Sequence, residues 1–137
     1  MSTYISESYR KIVAERASYK CEYCRTSENN TFYTFQVDHI ISLKHGGGTV
    51  LENLAYSCPI CNRNKSSDLG TILAEGGPII SFFHPRKDQW IDHFGVHQSG
   101  ELYAKTEAAE ATLKIFKMNH PDSIIERALL LRVGLFP

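Results

Sequence analysis

Four cysteines occur in the chain, Cys21, Cys24, Cys58 and Cys61, and all fall into two C-x-x-C pairs with none left over. Paired thiols at this spacing suit a structural zinc site, where four soft ligands close a tetrahedron and leave no position for a substrate. The 33 residues between the pairs exceed the usual finger spacing, so a sub-structure is inserted there. A redox reading requires one C-x-x-C in a βαβ context, which the sequence lacks. Inside the insert, "FQVDHII" places Asp38 and His39 side by side in an apolar run, although both groups are costly to bury. Such a pair can hold a hard cation through the carboxylate and take a proton through the imidazole. Taken alone, an Asp-His pair is more often an exposed turn or a satisfied hydrogen bond, and a lone Asn more often a cap.

The elements that must position these groups follow from local pattern. "SESYRKIVAERASY" predicts a helix capped by Ser6 or Ser8, with Ile12, Val13 and Ala17 as its apolar stripe. "TFYTFQV", rich in Thr, aromatics and Val, predicts a strand over 32–37. "KHGGGTV" is a flexible loop, "LENLAYSC" is short and extended, and "CPICNRNKSS" opens a helix near Asn62. Adjacent strand residues face opposite sides, so Asp38 and His39 serve one site only if the ladder ends or distorts there. Beyond Leu69, Gly-Gly-Pro and His-Pro mark turns, and "HFGVHQSGELYAK" predicts a hairpin about Ser99-Gly100. "TEAAEATLKIFKMN" is a helix capped by Thr106, and "DSIIERALLLRV" another capped by Asp122 or Ser123. Phe82, Phe83, Trp90, Ile91 and Phe94 are expected to build the core beneath the motif.

The 137 residues fit one domain, or a small motif with an extension. Basic and acidic residues number 15 each, and neither half departs from balance, so any electrostatic footprint must be local. No apolar stretch is long enough to span a bilayer, and "MSTYISESYRKI" lacks an apolar signal region. A cytoplasmic protein without membrane contact is the expectation, and reduced thiols there favour metal over disulfide.

Read in order, Val37-Asp38-His39-Ile40-Ile41, Gly46-Gly47-Gly48, Glu52-Asn53-Leu54 and Cys58-Pro59-Ile60-Cys61-Asn62-Arg63-Asn64-Lys65 resemble the HNH endonuclease family over about residues 20–66. The resemblance implies an α+β fold: a ββα-metal (His-Me finger) core, braced by the four-cysteine zinc site, with a C-terminal hairpin and helices. It divides the chain into a nuclease core with its N-terminal helix (1–70) and an extension packing on that core (71–137). It further implies that His39 is the general base and that Asp38 and Asn62 hold a catalytic divalent cation. Asn53 would hold the loop together and orient His39. Asn62 stands where the family name has its final His, which makes this a His-Asn-Asn variant. One helical turn on, where some members carry another His, this chain has Ser66. Oxygen ligands of this kind suit Mg2+ or Mn2+, which keep much of their water. The cation offsets charge developing on a phosphodiester, and general-base catalysis adds roughly 10²–10⁴-fold.

DNA is the implied substrate, with Lys44, Arg63 and Lys65 as candidate phosphate contacts. Lys20 and Arg25, beside the first cysteine pair, read equally as phosphate contacts or as a solvated face. His45, His84 and His93 read as ordinary surface or bonded histidines. Neutral net charge leaves room for a homodimer or a protein partner. Two rival readings stand beside the nuclease: a catalytically inactive, zinc-stabilised nucleic-acid-binding module, and a zinc-knuckle adaptor for another protein.

Overall fold

The structure, a computed structural model, describes residues 4–137. Helix α1 (Glu7–Arg16) starts at Ser6, whose hydroxyl accepts from the Tyr9 amide at 3.2 Å and so satisfies one of the unpaired first-turn donors. Its buried face carries Val13 and Ala14, while Ile12 is exposed. That face lies on an antiparallel pair, β1 (Gln36–His39) and β2 (Leu54–Ser57), in which Asp38 stands opposite Ala55 and His39 opposite Leu54. All four residues of β2 are buried. Helix α2 (Pro59–Lys65) follows directly, so the insert is strand, strand, helix.

The first strand begins later than the expected 32–37. Phe32 is 107% exposed and Tyr33 is also exposed; only Phe35 of that aromatic run enters the core. Glu28 decides the turn, because its carboxylate accepts from the Phe35 amide at 2.7 Å and from the Tyr56 hydroxyl at 2.6 Å. Tertiary anchoring here outweighs the strand preference of Thr and aromatic residues. Helix α2 likewise starts three residues before Asn62, with Pro59 at its first turn and Cys58 as the capping residue.

Beyond α2, β3 (Gly70–Ile72) and β4 (Ile79–Ser81) make a second antiparallel pair. A single turn, α3 (Trp90–His93), leads into a third pair, β5 (Phe94–Val96) and β6 (Leu102–Ala104). The turn between them is the expected one about Gly100, where φ is +92° and a Cβ would stand 2.3 Å from the Ile124 carbonyl oxygen. Only glycine meets both demands. Helix α4 (Glu107–Phe116) is capped by Thr106, whose hydroxyl accepts from the Ala109 amide at 3.1 Å. Helix α5 (Pro121–Arg132) is capped by His120, not by Asp122 or Ser123, because Pro121 takes the first helical position and the His120 ring accepts from the Asp122 amide. No helix among the described residues is long and apolar enough to cross a membrane.

These mixed helices and three small antiparallel sheets share one apolar cluster running from Ile5 to Phe136. Phe116 is at its centre, fully buried, with its ring 5.0 Å from Tyr23 and 5.1 Å from Phe82. Helix α4 thereby packs against both α2 and the second half's strands. Of the expected core residues, Phe82, Phe83, Trp90 and Phe94 are buried, but Ile91 is 70% exposed. With only one turn of helix in α3, the side chain next to a buried Trp90 must face outward. Phe116→Ala is expected to destabilise the protein by about 3–5 kcal/mol, as large-to-small core changes do. Ile91→Ala should fall within about 0.5 kcal/mol of the parent, a contrast that urea unfolding reads directly.

Candidate active site and metal centre

The two C-x-x-C turns bring four sulfurs together. Cys21 and Cys24 lie in the turn after α1, Cys58 follows β2 as the capping residue of α2, and Cys61 lies on α2. All four thiols are buried, and their Sγ atoms lie within 4.8 Å of one another. The Cys24 and Cys58 sulfurs are 3.8 Å apart, the edge of a tetrahedron with metal–sulfur bonds of about 2.3 Å. Each turn also aims an amide at its own first sulfur: Cys24 N–H at Cys21, and Cys61 N–H at Cys58. The donor set and its dimensions fit a structural zinc ion.

Tyr23, inside the first turn, carries the cluster's influence inward. Its hydroxyl donates to Asp38 Oδ2 at 2.7 Å, and its carbonyl accepts from the Trp90 indole N–H at 2.8 Å. Asp38 is only 6% exposed. Lys65, from the last turn of α2, places its ammonium 3.2 Å from Asp38 Oδ2 and 3.3 Å from Oδ1, and donates to the His39 carbonyl at 3.0 Å. Burial raises the Asp38 carboxyl above its ordinary range; Lys65 and the Tyr23 hydroxyl pull it back. Lys65, expected as a phosphate contact, is 2% exposed and wholly occupied with β1. A charge buried that deeply is tolerated only when paired, and Asp38 is the partner.

His39 is half-buried beside this pair. Its Nε2 meets the Thr49 hydroxyl at 2.9 Å. Burial lowers the imidazole below the ordinary histidine range, the Asp38 charge opposes that, and Lys65 reinforces it. The ring is therefore neutral at neutral pH. The loop that presents Thr49 is held by Asn53, whose Oδ1 accepts from the Ile41 amide and whose Nδ2 donates to the carbonyls of Ile41 and Gly48, each at 2.9 Å. Gly47 makes that closure feasible, since a Cβ there would stand 1.8 Å from the Ile41 oxygen.

Asp38, His39, Asn62 and Lys44 border one open cleft of about 500 Å³, together with Ser66. Asn62 donates through Nδ2 to Gln36 Oε1, leaving its side-chain Oδ1 without a hydrogen bond among the described residues. The hydroxyl of Ser42, also on the cleft wall, is buried without a partner among the described residues. Arg63 is exposed but does not border the cleft. Helix α1 supplies a cation in its stead: Arg10, which the sequence did not single out because nothing local ties α1 to the insert. Thr49 and Tyr23 were missed too. Thr49 carries no local signal in a glycine loop, whereas Tyr23 could have been suspected as the one aromatic between two metal ligands.

Residues 21–68 match the family model described as HNH endonuclease, a stretch that spans both cysteine pairs and the cleft lining from Val37 to Ser67, but not Ile5, just before α1, or Arg10, within it. No curated protein and no solved structure matches the chain. Stripping the metal with a strong chelator, or substituting Cys58→Ser, is expected to lower the melting temperature by well over 5 °C, since structural metal supplies folding free energy outright. Differential scanning calorimetry with parallel metal analysis checks this; an unchanged melt after metal loss would count against a structural ion.

Proposed function

Because the chain carries an HNH endonuclease domain at residues 21–68, we propose that it is a metal-dependent endonuclease hydrolysing DNA phosphodiester bonds. The observation that carries this reading is the convergence of His39, Asp38 and Asn62 on one open cleft braced by the four-cysteine cluster. In this reading β1, β2 and α2 are the ββα-metal core, and His39 is the general base. In the tautomer whose Nε2–H donates to the Thr49 hydroxyl, the Nδ1 lone pair is left to take a proton from water. Water then attacks phosphorus, its proton passes to His39, and the bond to the 3′ oxygen breaks, that oxygen taking a proton from solvent water to leave as the 3′ hydroxyl. Asn53 acts one step back, by fixing the loop on which Thr49 orients the ring. Arg10 and Lys44 border the cleft as cations for neighbouring phosphates.

A cation of the Mg2+ or Mn2+ type would be held by Asp38 and Asn62. The fit is to a weakly held ion: the Asp38 carboxylate offers about four lone-pair sites, and Tyr23 and Lys65 draw on both of its oxygens. Bound there, it would supply Lewis-acid stabilisation of charge at the phosphoryl centre. The competition of Lys65 for the same carboxylate is also the one observation that favours the second reading, a zinc-stabilised nucleic-acid-binding module without catalysis.

Plasmid nicking with added Mg2+ or Mn2+ separates the two. The parent protein is expected to convert supercoiled to open-circular DNA. His39→Ala should lose at least 10²-fold in rate while keeping its metal content and melting temperature. Binding without any nicking by the parent would leave the module.

The pH profile is a further check. General-base action needs the neutral ring, whose folded pKa lies below 6.5, so activity should hold on acidification through that value and fall only beneath it. An acid limb centred above 6.5 would disqualify His39 as the titrating base.

A further inference from the structure

A second cavity, of about 320 Å³, opens on the outer side of the first cysteine turn and shares no lining residue with the cleft. Arg16, Arg25 and Arg86 line it, with the Trp90 indole in its wall. Its two carboxylates are already engaged. Glu22 pairs with Arg86 and also accepts from the Tyr56 amide; Asp88 accepts from the His84 amide. The guanidinium groups are left under-satisfied. The Arg25 guanidinium lies over the Trp90 ring, 5.5 Å from its centroid, and makes no hydrogen bond among the described residues. Arg86 Nε is buried without a partner among them. Arg16 spends one terminal nitrogen on the Leu51 and Leu54 carbonyls. Burial, with Arg16 adding to it, pushes the Arg86 guanidinium down to about 10. Like charges are being held together with too few anions between them.

The backbone around the cavity is strained as well. Ser18 and Arg25, both in its lining, adopt left-handed φ values of +54° and +69°, which non-glycine residues take at a cost. Strain of this sort concentrates at ligand clamps and functional sites. A planar guanidinium presents a fork of donors matched to phosphate oxygens, and three of them around one hollow make a bidentate anion clamp.

We propose that this cavity binds a phosphoryl anion between Arg25, Arg86 and Arg16, at a site separate from the cleft of His39. The anion's chemistry is that of a phosphate mono- or diester, either free phosphate or the backbone of a DNA duplex. The inference does not depend on the nuclease reading. Trp90 is the chain's one tryptophan, so intrinsic fluorescence reports occupancy directly.

The test titrates the full chain, without added Mg2+ or Mn2+, with inorganic phosphate and separately with a short DNA duplex. Sodium chloride at matched ionic strength is the control. A saturable Trp90 change with phosphate, weakened about tenfold or more in Arg25→Gln and only partly recovered in Arg25→Lys, which keeps the charge but loses the fork, identifies a free-phosphoryl site. The same pattern with duplex alone assigns the site to the DNA backbone. His39→Ala should titrate like the parent in either case, so failure of the cleft reading and failure of this one stay distinguishable. An equal response to chloride, an Arg25→Gln curve that overlays the parent, or no response to either ligand overturns the proposal. Melting curves confirm that Arg25→Gln is folded.

Discussion

A single buried carboxylate constrains most of what surrounds it. Asp38 is carried on the strand that presents His39, and the strand's depth leaves it nearly without water. An unpaired charge there would cost several kcal/mol, so the fold must bring a cation and a hydrogen-bond donor to it. Lys65 comes from the end of α2 and Tyr23 from the first cysteine turn. The two segments that complete the thiol cluster are thus the two that compensate Asp38. Metal clamp and charge compensation solve the same geometric problem, which is to hold a short hairpin against a short helix. Neither element is long enough to be stable by itself.

The extension belongs to this arrangement through packing. Phe116 closes over Tyr23 from below, Trp90 donates to the Tyr23 carbonyl, and Asn64 of α2 donates to the Phe116 carbonyl at 2.8 Å. Arg127 of α5 is buried, donates to the Gly100 and Met118 carbonyls, and shares a small apolar hollow with Cys24, Cys58 and Cys61. Its positive charge lies on the side of the cluster where four thiolates and one divalent ion would leave net negative charge. Residues of the second half thus touch the first cysteine turn and helix α2 directly.

Much of this was legible in the chain itself, and the boundary of what was legible is physical. The cysteine pairs, the Asp38-His39 step, the glycine loop and Asn53 declare themselves because their geometry is local or fixed by short spacing. Helix caps at Ser6 and Thr106 follow from the same locality. What stayed hidden depends on depth or on distant partners. Lys65 reads as one more surface cation until the burial of Asp38 is known. "TFYTFQV" reads as strand because nothing in it reveals that Glu28 captures Phe35 and Tyr56. Arg10 joins the cleft only because α1 lies across the hairpin. Ile91 is the converse case, apolar by type and outward-facing by the shortness of α3.

Tyr23 touches three parts of the molecule at once: the metal-binding turn, the Asp38 carboxylate and the extension's aromatic core. Groups that share a partner in this way do not contribute independently. Free-energy changes at Tyr23, Asp38 and Lys65 should not sum, because the first substitution already removes the interaction the second would report. Double-mutant cycles among the three measure that coupling energy. Sequence drift faces the same arithmetic: once one member of the trio is lost, the selective pressure holding the other two relaxes, so they are expected to be kept or replaced as a set.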